Sequence, residues 1–182
     1  MRRKQRGVSA AVDERLERVS GRKWLWALCI RSVIAVAAIY LLFGVVFGIG
    51  IAQGESMLPA IQEGDILLFY RLAPEYYMGD IVLIDTDSRE DYLKRVCALP
   101  GQTVEIDDEA GAFIVDGQVA IEPCVYEETN SKVGVNYPLT LNENEYFCMG
   151  DHRENSLDSR NYGAVNKSGI EGKVIAVLRV GN

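Results

Sequence analysis

Two kinds of hydrophobic pattern share this chain. Residues 32–52 (SVIAVAAIYLLFGVVFGIGIA) contain no charged side chain. Twenty-one such residues in a helix, at about 1.5 Å rise each, reach roughly 31 Å, which matches the hydrocarbon core of a bilayer. The run is therefore predicted to be a single transmembrane helix. Beyond it no long helical period recurs. Short runs rich in Ile, Val, Leu, Tyr and Phe follow instead, punctuated by Gly and Asp, and they predict strands at Ile66–Tyr70, Ile81–Asp85, Tyr92–Leu99, Thr103–Asp107, Phe113–Asp116, Gln118–Ile121, Glu145–Met149 and Val174–Val180. Asp116-Gly117 between two apolar runs predicts a tight hairpin, since both central positions of a type I′ turn need positive φ. Cys124–Pro138 has no such pattern and reads as an extended loop or ribbon. The expected fold is mostly β: one N-terminal transmembrane helix, then an antiparallel β-sheet domain.

Charge orients this arrangement. The 182 residues carry a net charge of −7, but Met1–Arg31 holds nine Lys or Arg against three acids, and Glu55–Asn182 holds ten against 23. All of the basic flank precedes the apolar run, with Trp24 and Trp26 where an interfacial aromatic belt is expected, so the positive-inside rule places the N-terminus in the cytoplasm. The expected organisation is a basic cytoplasmic tail at 1–31, an anchor at 32–52 and an extracytoplasmic domain at 53–182. Residues 8–22 fit either a short helix at the membrane surface or a solvated tail. The rival reading is a removable leader, because Gly50-Ile51-Ala52 is a small-x-small ending. Its apolar run, however, exceeds the roughly 7–15 residues of a signal peptide. An acidic outer domain also repels phosphate, which excludes nucleic acid as its partner.

Candidate chemistry is narrow. Of the four cysteines, Cys29 lies at the membrane boundary, while Cys97, Cys124 and Cys148 face a compartment where disulfides persist; three is odd, so at least one stays free. No C-x-x-C or Cys/His cluster is present, so no metal site is expected. His152 is the sole histidine, in a Gly-Asp turn where a solvated role is the simpler expectation. A serine hydrolase would then need a lysine desolvated enough to lose its proton near neutrality. Lys132, Lys167 and Lys173 stand in polar or turn-like surroundings, where solvation is expected. Lys94 stands inside the apolar strand Tyr92–Leu99, either as such a base or as an edge-strand lysine that blocks aggregation. The candidate nucleophile is Ser56 in Gly54-Glu55-Ser56-Met57-Leu58-Pro59, just beyond the apolar run: it is either a serine in a juxtamembrane linker or a hydroxyl fixed by a rigid turn that leaves a backbone N–H free to meet an oxyanion.

In order along the chain, Gly54-Glu55-Ser56-Met57-Leu58-Pro59, Gly79-Asp80-Ile81-Val82, Tyr92-Leu93-Lys94-Arg95-Val96 with Pro100-Gly101, and Gly150-Asp151 through Asn155-Ser156-Leu157-Asp158-Ser159-Arg160 resemble the conserved boxes of bacterial type I signal peptidases. The resemblance covers roughly residues 30–180. It implies Ser56 as nucleophile, Lys94 as general base, Ser156 as the hydroxyl that orients the lysine, and Arg95, Asp158 and Arg160 as structural support, with an Asp158–Arg160 ion pair. It implies no cofactor. The partners it implies are membrane lipid and the signal peptides of exported preproteins, cut after small residues at the outer face of the cytoplasmic membrane. Ala60, Gln102, His152 and Cys97-Ala98 depart from the family pattern, as does Gly54, where some members carry a serine whose hydroxyl serves the oxyanion. Other readings are a processing peptidase dedicated to one client such as a pilin, and a non-catalytic membrane-anchored module that binds an extended peptide. Soluble self-cleaving Ser-Lys repressors share the chemistry but lack an anchor.

Overall fold

The computed structural model describes residues 23–85 and 91–179. Residues 8–22 and most of the basic tail lie outside that set. A helix, α1, runs over Lys23–Val46, and its last turns, Leu42–Val46, widen into a π-helix. Its 24 residues reach about 36 Å, enough to cross a bilayer.

The helix ends earlier than the apolar pattern predicts. Phe47–Ile51, placed in the anchor by its hydropathy, is strand β1, which pairs antiparallel with β2 (Ile66–Tyr70) from Phe47↔Tyr70 to Ile51↔Ile66. The sheet thus begins at Phe47, not at 53. The sequence Phe-Gly-Ile-Gly-Ile suits a strand, because glycine and β-branched residues are poor helix formers. Gly48 lies directly against the Phe69 ring of β2, and a Cβ there would meet ring carbon Cε1 at 2.8 Å.

The other strands are β3 (Ile81–Ile84), β4 (Tyr92–Ala98), β5 (Thr103–Asp107), β6 (Ala112–Val115), β7 (Gln118–Val119), β8 (Leu139–Thr140), β9 (Glu145–Met149), β10 (Val165–Asn166) and β11 (Ile170–Leu178). Every pairing is antiparallel. A seven-stranded sheet has the order β1-β2-β11-β3-β4-β9-β10, and a four-stranded sheet has the order β7-β6-β5-β8. The predicted hairpin is present: Asp116 and Gly117 have φ of 51° and 75°, and Val115 pairs with Gln118. The eight predicted strands all occur: β2, β5 and β9 have the predicted ends, β3, β4 and β7 are trimmed, β6 is shifted by one residue, and β11 begins at Ile170 rather than Val174. β1 and the two-residue β8 and β10 were not predicted, the latter two being too short to display an alternation.

Three apolar clusters support the site. Ala52, Met57, Ile61 and Leu67 pack beneath the turn that carries Ser56. Val82, Val96, Tyr146 and Cys148 fill the middle of the large sheet. Val104, Phe113, Phe147 and Met149 pack between strands of the two sheets, with Phe113 and Phe147 stacked at 5.7 Å between ring centres. A short helix, α2 (Ser159–Tyr162), is capped by Asp158, whose carboxylate accepts from the Arg160 backbone N–H.

Candidate active site

The two strongest sequence candidates meet. Lys94 Nζ donates to Ser56 Oγ at 2.9 Å and to the Leu93 carbonyl at 3.0 Å. Lys94 is not on an edge, as the aggregation-blocking reading required. β4 lies between β3 and β9, Lys94 pairs with Val82, and its side chain shares the buried face with Val96. Only 3% of it is exposed. Burial strips water from the ammonium and lowers the pKa to about 8; Asp158 partly opposes this, and Lys132 reinforces it. Neutral amine is therefore available at mildly basic pH.

Ser56 sits in a turn closed by the Leu58 N–H donating to the Glu55 carbonyl at 3.1 Å. Its carbonyl accepts from the His152 backbone N–H, also at 3.1 Å. Among the described residues no backbone acceptor takes the Ser56 N–H. His152 is not a free turn residue. Its ring Nδ1 lies 3.2 Å from the Glu55 carbonyl and its Nε2 lies 3.4 Å from Glu127, so it braces the Ser56 turn rather than contacting the hydroxyl.

Asp158 and Arg160 form the expected ion pair, both essentially fully buried, with Nε and Nη2 of Arg160 donating to the two carboxylate oxygens at 2.9 and 2.8 Å. Burial alone would raise the Asp158 carboxyl, but these bonds and the guanidinium charge outweigh it and hold the group below the usual carboxylate range. Arg160 also donates to the Arg153 carbonyl at 2.6 Å, and Asp158 accepts from the Gly150 N–H at 3.2 Å. The pair thus ties α2 to the end of β9. Arg95 makes a bidentate fork with Asp151, at 2.7 and 2.6 Å, and donates to the Gly79 carbonyl at 2.7 Å. Three of the sequence boxes are therefore joined through one guanidinium.

Ser156 is buried beside the dyad, with its hydroxyl next to the Asp158 carboxylate, whose pKa it helps to lower. The Lys94 amine is bonded to Ser56 Oγ and the Leu93 carbonyl rather than to this hydroxyl. Gly150 explains how these parts come so close. A Cβ on Gly150 would stand 2.5 Å from the Ser56 carbonyl oxygen and 2.7 Å from the Ser156 Cβ, so only glycine lets the Ser56 turn and the Ser156 segment approach each other.

Sequence reasoning missed several supporting groups: Asp151 as the partner of Arg95, and Arg153, fully buried and paired with Glu122 at 2.6 Å. It also set Lys132 aside as solvated, whereas Lys132 Nζ donates to the Ser156 carbonyl. The Asp151 and Arg153 positions stand among charged residues in a loop-like stretch, which carried no periodicity that could reveal burial.

The four cysteines are all free. Burial pushes the Cys148 thiol, which lies near Lys94, up to about 12, so it stays protonated and does not compete as a nucleophile. Among the described residues no cluster of His, Cys, Asp or Glu could hold a metal. An open groove of about 1000 Å³ is lined by Ser56 and Lys94, with the edge of β1, Leu67, Leu93 and Leu157 in its walls.

A half-buried serine hydroxyl bonded to a buried lysine beside an open groove is an arrangement that a serine hydrolase can use. Residues 23–179 match the family model described as "Signal peptidase, peptidase S26". The chain is 33% identical over 162 residues to "Signal peptidase I" of Bacillus licheniformis, covering 82% of this chain and 84% of the relative. It is 33% identical over 172 residues to "Signal peptidase I S" of Bacillus subtilis, covering 86% and 90%. A crystal structure of a signal peptidase I from Enterococcus faecalis aligns with a TM-score of 0.43 at 24% identity, over 54% of this chain and 96% of that one. The chain belongs to the S26 signal peptidase family and is a hydrolase of that family, with an apolar N-terminal helix consistent with membrane anchoring.

Proposed function

We propose that this peptidase removes N-terminal signal peptides from exported preproteins by a Ser56–Lys94 dyad, at the outer face of the cytoplasmic membrane. The single observation that carries the mechanism is Lys94 Nζ at 2.9 Å from Ser56 Oγ in surroundings that lower its pKa to about 8. Neutral Lys94 takes the Ser56 proton as Oγ attacks the scissile carbonyl, and then gives that proton to the departing amine. The acyl-enzyme is hydrolysed by a water that Lys94 deprotonates, which restores Ser56. The Ser56 N–H, without a backbone acceptor among the described residues, supports the reading that it meets the oxyanion. We assign Ser156 the orienting role: its hydroxyl is buried next to the Ser56 turn across Gly150, and its oxygen would accept a bond from the neutral Lys94 amine. Arg95, Asp158 and Arg160 hold the segments that carry these groups. The substrate lies extended in the groove, its small residues before the cut facing shallow walls. The scheme calls for no cofactor.

Helix Lys23–Val46 serves as the anchor, with the basic flank in the cytoplasm and the sheet domain outside. An uncleaved anchor is supported by β1: a cut after Ala52 would remove from the sheet an edge strand with five residues in register.

Ser56→Ala and Lys94→Ala should each abolish cleavage of a purified preprotein, with the wild-type product's new N-terminus located by mass spectrometry. The double variant should be no worse than either single one, because the pair acts as a unit. Ordinary turnover by Ser56→Ala would remove the nucleophile assignment.

A further inference from the structure

Between Glu122 and Gly134 the chain forms no helix or strand, yet it is laced along its length to the segment that carries Ser156, Asp158 and Arg160. Glu122 accepts from Arg153 at 2.8 and 2.6 Å. Glu127 accepts from the Glu154 N–H at 3.1 Å, and the Thr129 hydroxyl meets Arg153. The Asn130 carbonyl accepts from Arg160 at 3.3 Å. Gly134 lies so close to the Asn161 carbonyl that no Cβ would fit. The other side of this strap is held by Asp108, which accepts from Ser131 at 2.6 Å through both its N–H and its hydroxyl, and by the Gly111 carbonyl, which accepts from the Thr129 N–H at 2.8 Å. Lys132 is the only basic residue in the strap, and it is aimed inward, Nζ on the Ser156 carbonyl.

We propose that Lys132 is a positioning residue for the dyad: docked on the Ser156 carbonyl, its ammonium holds the Ser156–Asp158 segment in place and sets a positive charge near Lys94. The inference rests on the reading of Lys94 as the base. Its physical content is twofold. A charge-assisted bond to a backbone carbonyl restrains the residues on either side of it, here the Ser156 hydroxyl and, two residues on, the Asp158 cap of α2. A like charge nearby also disfavours the ammonium form of Lys94. The groups that face Lys94 are Asp158 and Arg160, Cys148 on β9 and Lys132 on the strap, with the Tyr92 ring 5.3 Å away on its own strand. Asp158 works against neutral Lys94, while Arg160 and Lys132 work for it. Arg160 is committed to Asp158 by its two side-chain bonds, which leaves Lys132 as the cation not paired with that carboxylate.

The test is the pH dependence of kcat/KM for the full chain in detergent, with a peptide spanning a signal-peptide cleavage site. The wild-type acidic limb is expected near pH 8. Lys132→Met removes both the bond and the charge: kcat should fall by roughly tenfold with KM little changed, and the limb should move up by about half a unit to one unit. Lys132→Gln keeps a donor for the Ser156 carbonyl without the charge. It should recover most of the rate at pH 10 while its limb stays raised. Lys132→Arg should restore the wild-type limb. An unmoved limb in both Lys132→Met and Lys132→Gln would overturn the proposal, as would a rise in KM at constant kcat, which marks a substrate contact. If Lys132→Met does not fold, Lys132→Gln and Lys132→Arg carry the same comparison. Failure of the dyad itself is read separately, as activity retained by Ser56→Ala.

Discussion

Below about pH 8 Lys94 is a charged ammonium enclosed by Val82, Val96 and the Ser56 turn, and that enclosure opposes folding even as it prepares the chemistry. The folded-state pKa of about 8 lies under the ordinary lysine value of 10.5, so between these values the unfolded chain binds the extra proton and stability rises with pH; below 8 the cost is present in full. At 1.36 kcal/mol per unit the cost is about 3 kcal/mol. Lys94→Met should accordingly abolish cleavage and yet stabilise the domain at pH 7 relative to wild type, with the gain shrinking as pH approaches 10.5. Thermal unfolding of both proteins at the two pH values checks this, and a Lys94→Met protein less stable at pH 7 than at pH 10.5 relative to wild type would contradict the burial account. At this scale Ser56 and Lys94 stood out as candidates, a serine just beyond an apolar run and a lysine inside an apolar strand, but only the spaced boxes around them separated nucleophile and base from a linker serine and an edge lysine. Lys132 was not, since nothing in Asn-Ser-Lys-Val-Gly reveals that its side chain turns inward.

The elements of the site are four short segments brought together by polar links: the Ser56 turn, β4, the end of β9 with its following loop, and α2. Each is too short to be stable alone, so their mutual placement depends on Arg95–Asp151, on Asp158–Arg160 and on the close approach at Gly150. Gly150→Ala is the sharpest probe of that approach. The added methyl would collide with the Ser56 carbonyl oxygen and with Ser156, so it should cost about 1–3 kcal/mol of stability and reduce kcat more than tenfold by displacing the nucleophile turn, as measured by denaturant unfolding and by steady-state cleavage. Activity near wild type would mean that the turn adjusts freely. Short runs rich in Ile, Val, Leu, Tyr and Phe placed β2, β5 and β9 to the residue, and Asp116-Gly117 placed its hairpin, because these are local properties of composition and backbone. β1 escaped because Phe47–Ile51 continues an apolar run, and apolarity alone does not separate a strand from the end of a membrane helix.

For the whole molecule, the charge asymmetry between Met1–Arg31 and Glu55–Asn182 and the length of α1 define one further outcome. Protease added outside right-side-out vesicles should degrade the sheet domain and spare an N-terminal tag; a protected sheet domain would reverse the orientation we propose. The sequence by itself determined the fold class, the apolar helix, most strands, and the serine, the lysine and the Asp158–Arg160 pair as candidates, because period, charge bias and spaced motifs are written along the chain. Only the tertiary structure decided where the helix yields to β1, that Lys94 lies on an interior strand, that Asp151 receives Arg95, that the Ser156 hydroxyl sits beside the Asp158 carboxylate, and that Lys132 reaches the Ser156 carbonyl. Each of these depends on which residue, distant in sequence, arrives opposite, and on the water its arrival excludes. Hydrophobic period carries no record of polar partners, so the links that hold this site became visible only once the strands and the strap were in place.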